Sequence, residues 1–193
     1  MPHIDNKKFY LSALKKYGQT AKGLHWNSRR HQELRFDALL SLLPQDVTQT
    51  YIADIGCGFG DFYIYMLKQG KRPLQYIGVD FLERMCEITH TNTRQDTLQA
   101  DATKDTLPQV SYLTCSGTMN TLTKFESYQL IHNCYTTCKE GFLFNILHGT
   151  NESQTYNYLT TQEIQNIAKD LHVKKIKFIE GYLDHDITVG FFK

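Results

Sequence analysis

The amino-acid sequence predicts an α/β fold with a mostly parallel, seven-stranded sheet and helices on both of its faces. Apolar, strand-like runs alternate with amphipathic segments between residues 51 and 172. The last two predicted strands, at 175–183 and 187–192, are joined by a turn so short that they must pair antiparallel. The expected sheet is therefore parallel over most of its width and ends in a C-terminal antiparallel hairpin.

Two helices are predicted ahead of that sheet. The first occupies residues 5–17 and stops at Gly18. The second is capped by Asn27 or Ser28 and ends at Pro44, and the segment between the helices, 19–26, is expected to be flexible.

The remaining elements follow from periodicity and capping signals. Strands are predicted at 51–55, 75–80, 97–101, 109–115 and 142–148, and helices at 60–69, 82–94, 124–138 and 161–172. The last helix begins with a capping box, Thr160-Thr-Gln-Glu163. The helix at 124–138 is expected to turn one face inward, formed by Phe125, Tyr128, Ile131, Cys134, Tyr135 and Cys138.

Length and composition predict one domain. The 193 residues contain neither a linker nor an internal repeat, so we expect a single domain at 1–193, with a helical extension or lid at 1–45 and a Rossmann-like core at 46–193. The chain has no apolar run that could span a membrane, and its N-terminus lacks the apolar core of a signal peptide. The expected location is cytoplasmic, without membrane contact.

The five cysteines indicate reduced thiols rather than a disulfide framework, because their number is odd and they are spread along the chain. Cys134 and Cys138 lie one helical turn apart. No histidine or further cysteine stands near them at ligand spacing, so no metal site is predicted.

Charge is distributed unevenly. Residues 1–35 carry eight Lys or Arg and two acids, a balance of +6, which leaves −5 for the rest of a chain whose total is +1. This balance fits a solvated helix face, but also an acidic substrate, a cofactor carboxylate or nucleic-acid phosphates. Since no other part of the chain is strongly basic, nucleic acid is a possible partner and not the favoured one.

The most informative stretch runs from Tyr51 to Asp61, an apolar strand followed by glycines at 56, 58 and 60. Alternate glycines let backbone N–H groups approach a nucleotide-type cofactor. A dinucleotide fingerprint would place its third glycine at position 61, where this chain has Asp61, and no Lys-Ser or Lys-Thr follows as in a phosphate-binding loop. NAD and nucleoside triphosphates are therefore disfavoured.

Acidic residues end three predicted strands, at Asp54, Asp80 and Asp101. Asp80 lies 20 residues beyond Gly60, where a carboxylate could accept hydrogen bonds from two ribose hydroxyls. The combined negative potential would repel a pyrophosphate and would suit a sulfonium and an α-amino group. These charges favour S-adenosylmethionine, with a dehydrogenase as the minor alternative.

The same motifs resemble those of the class I S-adenosylmethionine-dependent methyltransferases. The resemblance rests on Asp54-Ile-Gly-Cys-Gly-Phe-Gly60, Asp80, Asp101-Ala102 and the hairpin Tyr182-Leu-Asp-His-Asp-Ile-Thr-Val189. It covers about residues 50–193 and extends loosely to 17–36. It implies a Rossmann-like fold, S-adenosylmethionine as cofactor and S-adenosylhomocysteine as product.

The resemblance also implies roles for single residues. The glycine loop would pack on the methionine portion, Asp54 would help to hold its amino group, and Asp80 would take the ribose hydroxyls. Asp101 and Ala102 would face the adenine, and Ser116 and Gly117 would lie beside the reactive methyl group. The full set of implied cofactor-binding residues is Asp54, Gly56, Cys57, Gly58, Gly60, Asp80, Phe81, Asp101, Ala102, Ser116, Gly117, Arg35 and Trp26. Two alternatives stay open: Arg35 binds the cofactor carboxylate or is an exposed helical arginine, and Trp26 closes over the cofactor or belongs to the core.

Methyl transfer is an in-line displacement that needs alignment rather than a dedicated nucleophile. A general base is required only if the acceptor must lose a proton, and His25 and His148 are the candidates by residue type, with His185 behind them. Acceptor contacts are expected from the N-terminal segment, the loop after Ser116 and residues 149–159, where Tyr156 and Tyr158 could wall a pocket or cover the core.

The predicted function is methyl transfer to a small-molecule acceptor. The Asn/Asp-Pro-Pro-aromatic motif of DNA exocyclic-amine methyltransferases is missing, and Ser116-Gly-Thr-Met-Asn120 stands in its place. An RNA or protein acceptor is the alternative within the same chemistry. A non-catalytic S-adenosylmethionine-binding module is the alternative outside it.

Overall fold

The structure, a computed structural model, describes residues 4–193, and within that range it contains six α-helices and eight β-strands. The helices are α1 (Asn6–Tyr17), α2 (Arg29–Leu42), α3 (Asp61–Lys68), α4 (Glu83–Thr93), α5 (Lys124–Thr137) and α6 (Thr161–Asp170). The strands are β1 (Tyr51–Ile55), β2 (Gln75–Asp80), β3 (Asp96–Gln99), β4 (Tyr112–Ser116), β5 (Gly141–His148), β6 (Tyr158–Leu159), β7 (Lys175–Ile179) and β8 (Asp186–Phe192).

The strands form one sheet in the order β3-β2-β1-β4-β5-β8-β7. The first five in this order run parallel, and β8 pairs antiparallel with both of its neighbours. The predicted mostly parallel sheet with a C-terminal hairpin is confirmed. The two-residue strand β6, which pairs in parallel with the end of β5, was not predicted.

Local capping explains why the helices begin where they do. The Asp5 side chain accepts from the Lys8 N–H, and the Ser28 hydroxyl accepts from the His31 N–H. At the start of α6, Thr160 and Glu163 satisfy each other's backbone N–H groups, as the capping box predicts. The segment expected to be flexible, 19–26, contains a 3₁₀ helix at Ala21–Leu24.

Helices cover both faces of the sheet. Helices α2 and α3 pack their apolar sides on one face, and α5 and α6 pack on the other. The expected inward position of Phe125 is wrong, because this side chain is 69% exposed. Phe125 precedes the buried Cys134 by nine residues, and at roughly 100° per residue the two lie on opposite sides of the helix.

A third apolar cluster joins the N-terminal segment to the core. Tyr10, Leu11, Leu14 and Leu24 pack against Phe59, Leu82, Met85 and Ile88. The segment 4–28 therefore lies across the loops that follow β1 and β2.

The remaining sequence predictions concern cysteines, metals and membranes. All five cysteines are free and buried. Over residues 4–193, no group of three or more His, Cys, Asp or Glu side chains is placed to hold a metal ion. In the same range, no helix combines the length and the apolar content needed to cross a membrane.

Candidate functional site

The loops that follow β1, β2 and β4 enclose a cleft of about 230 Å³ at the carboxyl ends of these strands. Gly56 and Gly58 form its floor, with φ angles of 72° and 56°. A Cβ atom on Gly56 would lie 1.9 Å from Thr118 Oγ1, and one on Gly58 would lie 2.9 Å from Leu24 Cδ1. Both positions require glycine, because of the backbone conformation and because neighbouring side chains pack directly on it.

Asp80 stands at the end of β2, where it lines the cleft and is buried. Its Oδ2 accepts from the Gly58 N–H at 3.1 Å, and its Oδ1 accepts from the Leu82 N–H at 3.0 Å. Burial raises the pKa of Asp80 to about 6, against the lowering effect of these backbone hydrogen bonds. Each oxygen keeps capacity for a further hydrogen-bond donor.

Beside the cleft lies a smaller cavity of about 60 Å³, which shares Gly56, Asp80 and Phe81 with it. Asp101 and Ala102 line this cavity. The Asp101 carboxylate is engaged locally, since Oδ1 accepts from the Thr103 N–H and hydroxyl and Oδ2 pairs with Lys104 at 3.1 Å. Burial raises the pKa of Asp101, but these contacts outweigh it and leave the pKa lowered.

Ser116 and Gly117 line the cleft at the end of β4. The Ser116 hydroxyl donates to Asn145 Oδ1 at 2.7 Å. A Cβ atom on Gly117 would lie 2.4 Å from Trp26 Cη2, so the indole packs directly on this glycine. Trp26 also lines the cleft.

Arg35 is buried and lines the cleft, so its interpretation as an exposed helical arginine is wrong. Its Nε donates to Asp186 Oδ1 at 2.9 Å, and Nη2 pairs with Asp186 Oδ2. The guanidinium carbon also lies 4.9 Å from the centre of the Trp26 ring system. Because both Asp186 oxygens bind the Arg35 guanidinium, Arg35 links α2 to β8. The same guanidinium packs against Trp26.

Three expected site residues do not line either cavity: Asp54, Cys57 and Gly60. The Cys57 Sγ lies 3.4 Å from the Thr89 hydroxyl that donates to it. Gly60 begins α3 with φ of 79°, and a Cβ atom there would lie 2.5 Å from Thr93 Cγ2 on α4. These two positions serve the packing of the loop on α4.

Asp54 is turned away from the cleft by the alternation of β1. Its carboxylate accepts from the Tyr76 hydroxyl at 2.6 Å and from the Thr114 hydroxyl at 3.1 Å, both on neighbouring strands. Burial is the main cause that raises the pKa of Asp54 to about 7, opposed by these two hydrogen bonds.

This raised pKa predicts a pH-dependent stability that an Asp54→Asn variant removes. The folded state binds the Asp54 proton up to about pH 7, while the unfolded state releases it near its ordinary value of 3.8. Between those values the folded state holds more protons, so this contribution falls as pH rises. Urea unfolding at pH 5 and pH 8 should show wild type losing stability relative to Asp54→Asn at the higher pH. If the difference in unfolding free energy between the two proteins were the same at both pH values, the raised pKa of Asp54 would be contradicted.

The two candidate general bases differ in position. His25 lines the cleft, stacks on Phe9 with ring centres 3.7 Å apart, and places Nε2 3.2 Å from the Phe9 carbonyl oxygen. His148 lies outside both cavities, with Nε2 3.0 Å from the Thr161 hydroxyl. Of the two, only His25 is placed to reach a molecule in the cleft.

Tyr156 and Tyr158 line the cleft, the first of the two alternatives that the sequence left open for them. The structure also adds residues that the sequence did not single out. The added residues include Tyr10 and Thr121, which line both cavities, Asn6 in the smaller one, and Asn120 and Leu147 in the cleft. Tyr10 had a sequence signal only as part of an apolar helix face, which does not distinguish a site wall from core.

Comparison with known proteins agrees with this architecture. Residues 52–141 match the family model of a methyltransferase domain. No curated protein matches the chain by sequence.

Several solved structures share the fold at low identity. Magnesium protoporphyrin IX methyltransferase from Synechocystis, with bound S-adenosylhomocysteine, is 12% identical, with 85% of this chain and 84% of that chain covered and a TM-score of 0.69. Human N-acetylserotonin methyltransferase in complex with S-adenosylmethionine is 13% identical, with 98% and 60% covered and a TM-score of 0.69. An S-adenosylmethionine-dependent methyltransferase from Archaeoglobus fulgidus is 16% identical, with 96% and 100% covered and a TM-score of 0.67.

The family match covers β1 to β4 and ends at Gly141, the first residue of β5, so it includes the loops after β1, β2 and β4 that line the cleft. The chain therefore carries a match to a methyltransferase domain over residues 52–141 and shares the fold of solved S-adenosylmethionine-dependent methyltransferases.

Proposed function

We propose that this chain is an enzyme that binds S-adenosylmethionine in the cleft and the adjoining cavity and transfers its methyl group to a small-molecule acceptor. The observation that carries the proposal is the position of Asp80. Its buried carboxylate fixes the Gly58 amide of the glycine loop and stands where the two cavities meet.

The residues present fit this cofactor. Gly56 and Gly58 line the cleft without side chains, which leaves their backbone open to a ligand. Asp80 has acceptor capacity for ribose hydroxyls. The smaller cavity has apolar walls from Val79, Ala100 and other residues, as a purine ring requires.

Bound S-adenosylmethionine supplies an electrophilic methyl group on a sulfonium. The chain's own residues bind, orient and exclude water. Asp80 holds the glycine loop, Ser116 is held by Asn145 at the cleft wall, and Trp26 covers the opening above Gly117. Alignment and exclusion of water account for much of the rate in a displacement of this kind.

The cover over the cleft favours a small acceptor. Within the proposal, the N-terminal segment is a lid: Leu24 packs on Gly58 and Trp26 on Gly117, so a polymer would have to displace both. Among residues 4–193, Asp80 and Arg35 are the only Asp, Glu, Lys or Arg side chains that line the cleft, and Arg35 is paired with Asp186. This lining suits an uncharged, partly aromatic molecule.

One observation favours RNA as the second candidate acceptor. Lys7, Lys8, Lys15, Lys16 and Lys22 are all solvent-exposed on the segment that covers the site. Basic side chains in such a position could bind phosphates. The two candidate acceptors are distinguished by measuring the release of S-adenosylhomocysteine from S-adenosylmethionine with small metabolites, total RNA or protein as acceptor. Cofactor binding without release in any of these three assays favours a non-catalytic module.

Replacing Asp80 tests the cofactor site directly. Asp80→Ala removes the ribose acceptors, so S-adenosylhomocysteine should bind more weakly by about 1–3 kcal/mol in calorimetry. Asp96→Ala is the matched control, since Asp96 is an exposed carboxylate on the neighbouring strand β3 and lies outside both cavities. Equal affinity of Asp80→Ala and wild type would refute the proposed site.

A further inference from the structure

Four lysines meet in a groove at the amino ends of β4 and β5. This basic groove has a volume of about 360 Å³ and is lined by Lys139, Lys175, Lys177 and Lys193, all of them exposed. The lysines come from three separate segments: the turn before β5, strand β7 and the position after β8. Only the fold brings them together.

The register of the sheet builds the floor of the basic groove. Tyr112 of β4 and Phe192 of β8 both pair with Gly141 of β5, and both line the groove. Their rings close over the glycine, because a Cβ atom on Gly141 would lie 3.3 Å from Tyr112 Cε1 and 3.1 Å from Phe192 Cδ1. Gly141 is the first residue of β5 and Tyr112 the first of β4, so the groove lies at the end of the sheet opposite the cleft.

The protein does not balance the positive charge of the basic groove. In the part of the chain that the structure describes, none of the four lysines forms an ion pair with an acidic side chain. Within the same range, Glu140 is the one acidic side chain that lines the groove. With the α-carboxylate of Lys193 also counted, four positive groups face two negative ones. Like charges in one groove repel, and a multivalent anion would relieve that repulsion.

Protection of the sheet edge explains only half of this cluster. Strand β7 lies at one end of the sheet, and lysines on an edge strand discourage pairing with another chain, which accounts for Lys175 and Lys177. Lys139 and Lys193 lie outside that strand, so edge protection gives no reason for their position. The Lys177 ammonium also lies 5.6 Å from the centre of the Phe192 ring, which places it over the floor of the groove.

We propose that the basic groove binds a small polyphosphate anion, either free or as part of a nucleotide. Phosphate oxygens accept charge-assisted hydrogen bonds from ammonium groups, and several linked phosphates neutralise several lysines at once. The aromatic floor gives a nucleotide an additional surface on which its base can pack. The groove and the cleft lie at opposite ends of the sheet, so this site does not depend on the proposed function.

Calorimetric titration of the whole chain tests the site, with tripolyphosphate, ATP and single-stranded oligouridylate as probes. One double variant, Lys175→Ala with Lys177→Ala, removes the edge-strand lysines, and a second, Lys139→Ala with Lys193→Ala, removes the other two. The matched control is Lys15→Ala with Lys16→Ala, which removes the same charge from exposed positions in the last turn of α1, outside the groove. Circular dichroism checks that each variant is folded.

Wild type and the α1 control should bind tripolyphosphate and ATP with the same affinity as each other, and each groove variant should bind at least about tenfold more weakly. Affinity should also fall as the salt concentration rises. Tighter binding of ATP than of tripolyphosphate would identify the ligand as a nucleotide, and equal affinities would identify it as free polyphosphate.

Three results would overturn the proposal. The first is that wild type binds neither tripolyphosphate nor ATP. The second is a loss of affinity in either groove variant that is no larger than the loss in the α1 control, which would mean non-specific attraction. The third is binding of oligouridylate alone, which would make the groove a contact for nucleic acid instead.

Discussion

Arg35→Ala is expected to lower the free energy of unfolding by about 3–5 kcal/mol, because it leaves the Asp186 carboxylate buried without its partner. Asp186 is 4% exposed and receives two bonds from the guanidinium. Even with Arg35 present, burial raises the pKa of Asp186 to about 6. Urea unfolding monitored by circular dichroism measures the loss.

Two comparisons separate this effect from a general loss of a surface charge. Arg29→Ala breaks exposed pairs with Glu33 and Asp61 and should cost no more than about 1 kcal/mol. The Arg35→Ala deficit should also shrink at pH 5, where the unpaired Asp186 can take up a proton, and grow at pH 8. Similar losses for Arg29→Ala and Arg35→Ala, or a deficit that ignores pH, would show that the buried pair does not act in this way.

Gly56→Ala is expected to destabilise the fold by about 2–5 kcal/mol, the sum of a backbone term and a packing term. With φ of 72°, an alanine at position 56 is strained whatever space is available. In addition, the new methyl group would lie 1.9 Å from Thr118 Oγ1, whose hydroxyl donates to the Ile55 carbonyl oxygen at 3.2 Å. Thr118 must move, and the cleft wall moves with it, so affinity for S-adenosylhomocysteine should fall too.

Gly70→Ala is the matched control for the packing term. Gly70 has the same φ, 72°, at the end of α3, and nothing lies within 4 Å of the position that its Cβ would occupy. Only the backbone term of about 1–2 kcal/mol should appear there, with cofactor affinity unchanged. Equal unfolding free energies for the two variants would mean that the contact with Thr118 is readily relieved.

Features with a local cause were predictable from the sequence. The cap at Ser28, the box formed by Thr160 and Glu163, and the alternating glycines of the first loop each depend on residues within a few positions of one another. The sheet with its final hairpin followed from the spacing of apolar runs and the shortness of the last turn.

Features that depend on strand order or on distant residues were not predictable in the same way. The position of Asp54 just before the glycines suggested an acid that faces the ligand. Its carboxylate instead accepts hydrogen bonds from Tyr76 and Thr114 and lines neither cavity. Arg35 finds its partner 151 residues away. Asn6 carries no motif, and its place beside the smaller cavity emerges only once α1 is seen to lie against Thr121.

The Arg35–Asp186 pair also constrains the order of events during synthesis. Strands β1 to β4 lie within residues 51–116, but the guanidinium beside Trp26 lacks its carboxylate until residue 186 has left the ribosome. Chains generally fold from the N-terminus as they emerge, and contacts of high sequence separation close last. The cover over the cleft is therefore secured only after β8 has been synthesised, so a nascent chain that already has its glycine loop still lacks the completed site.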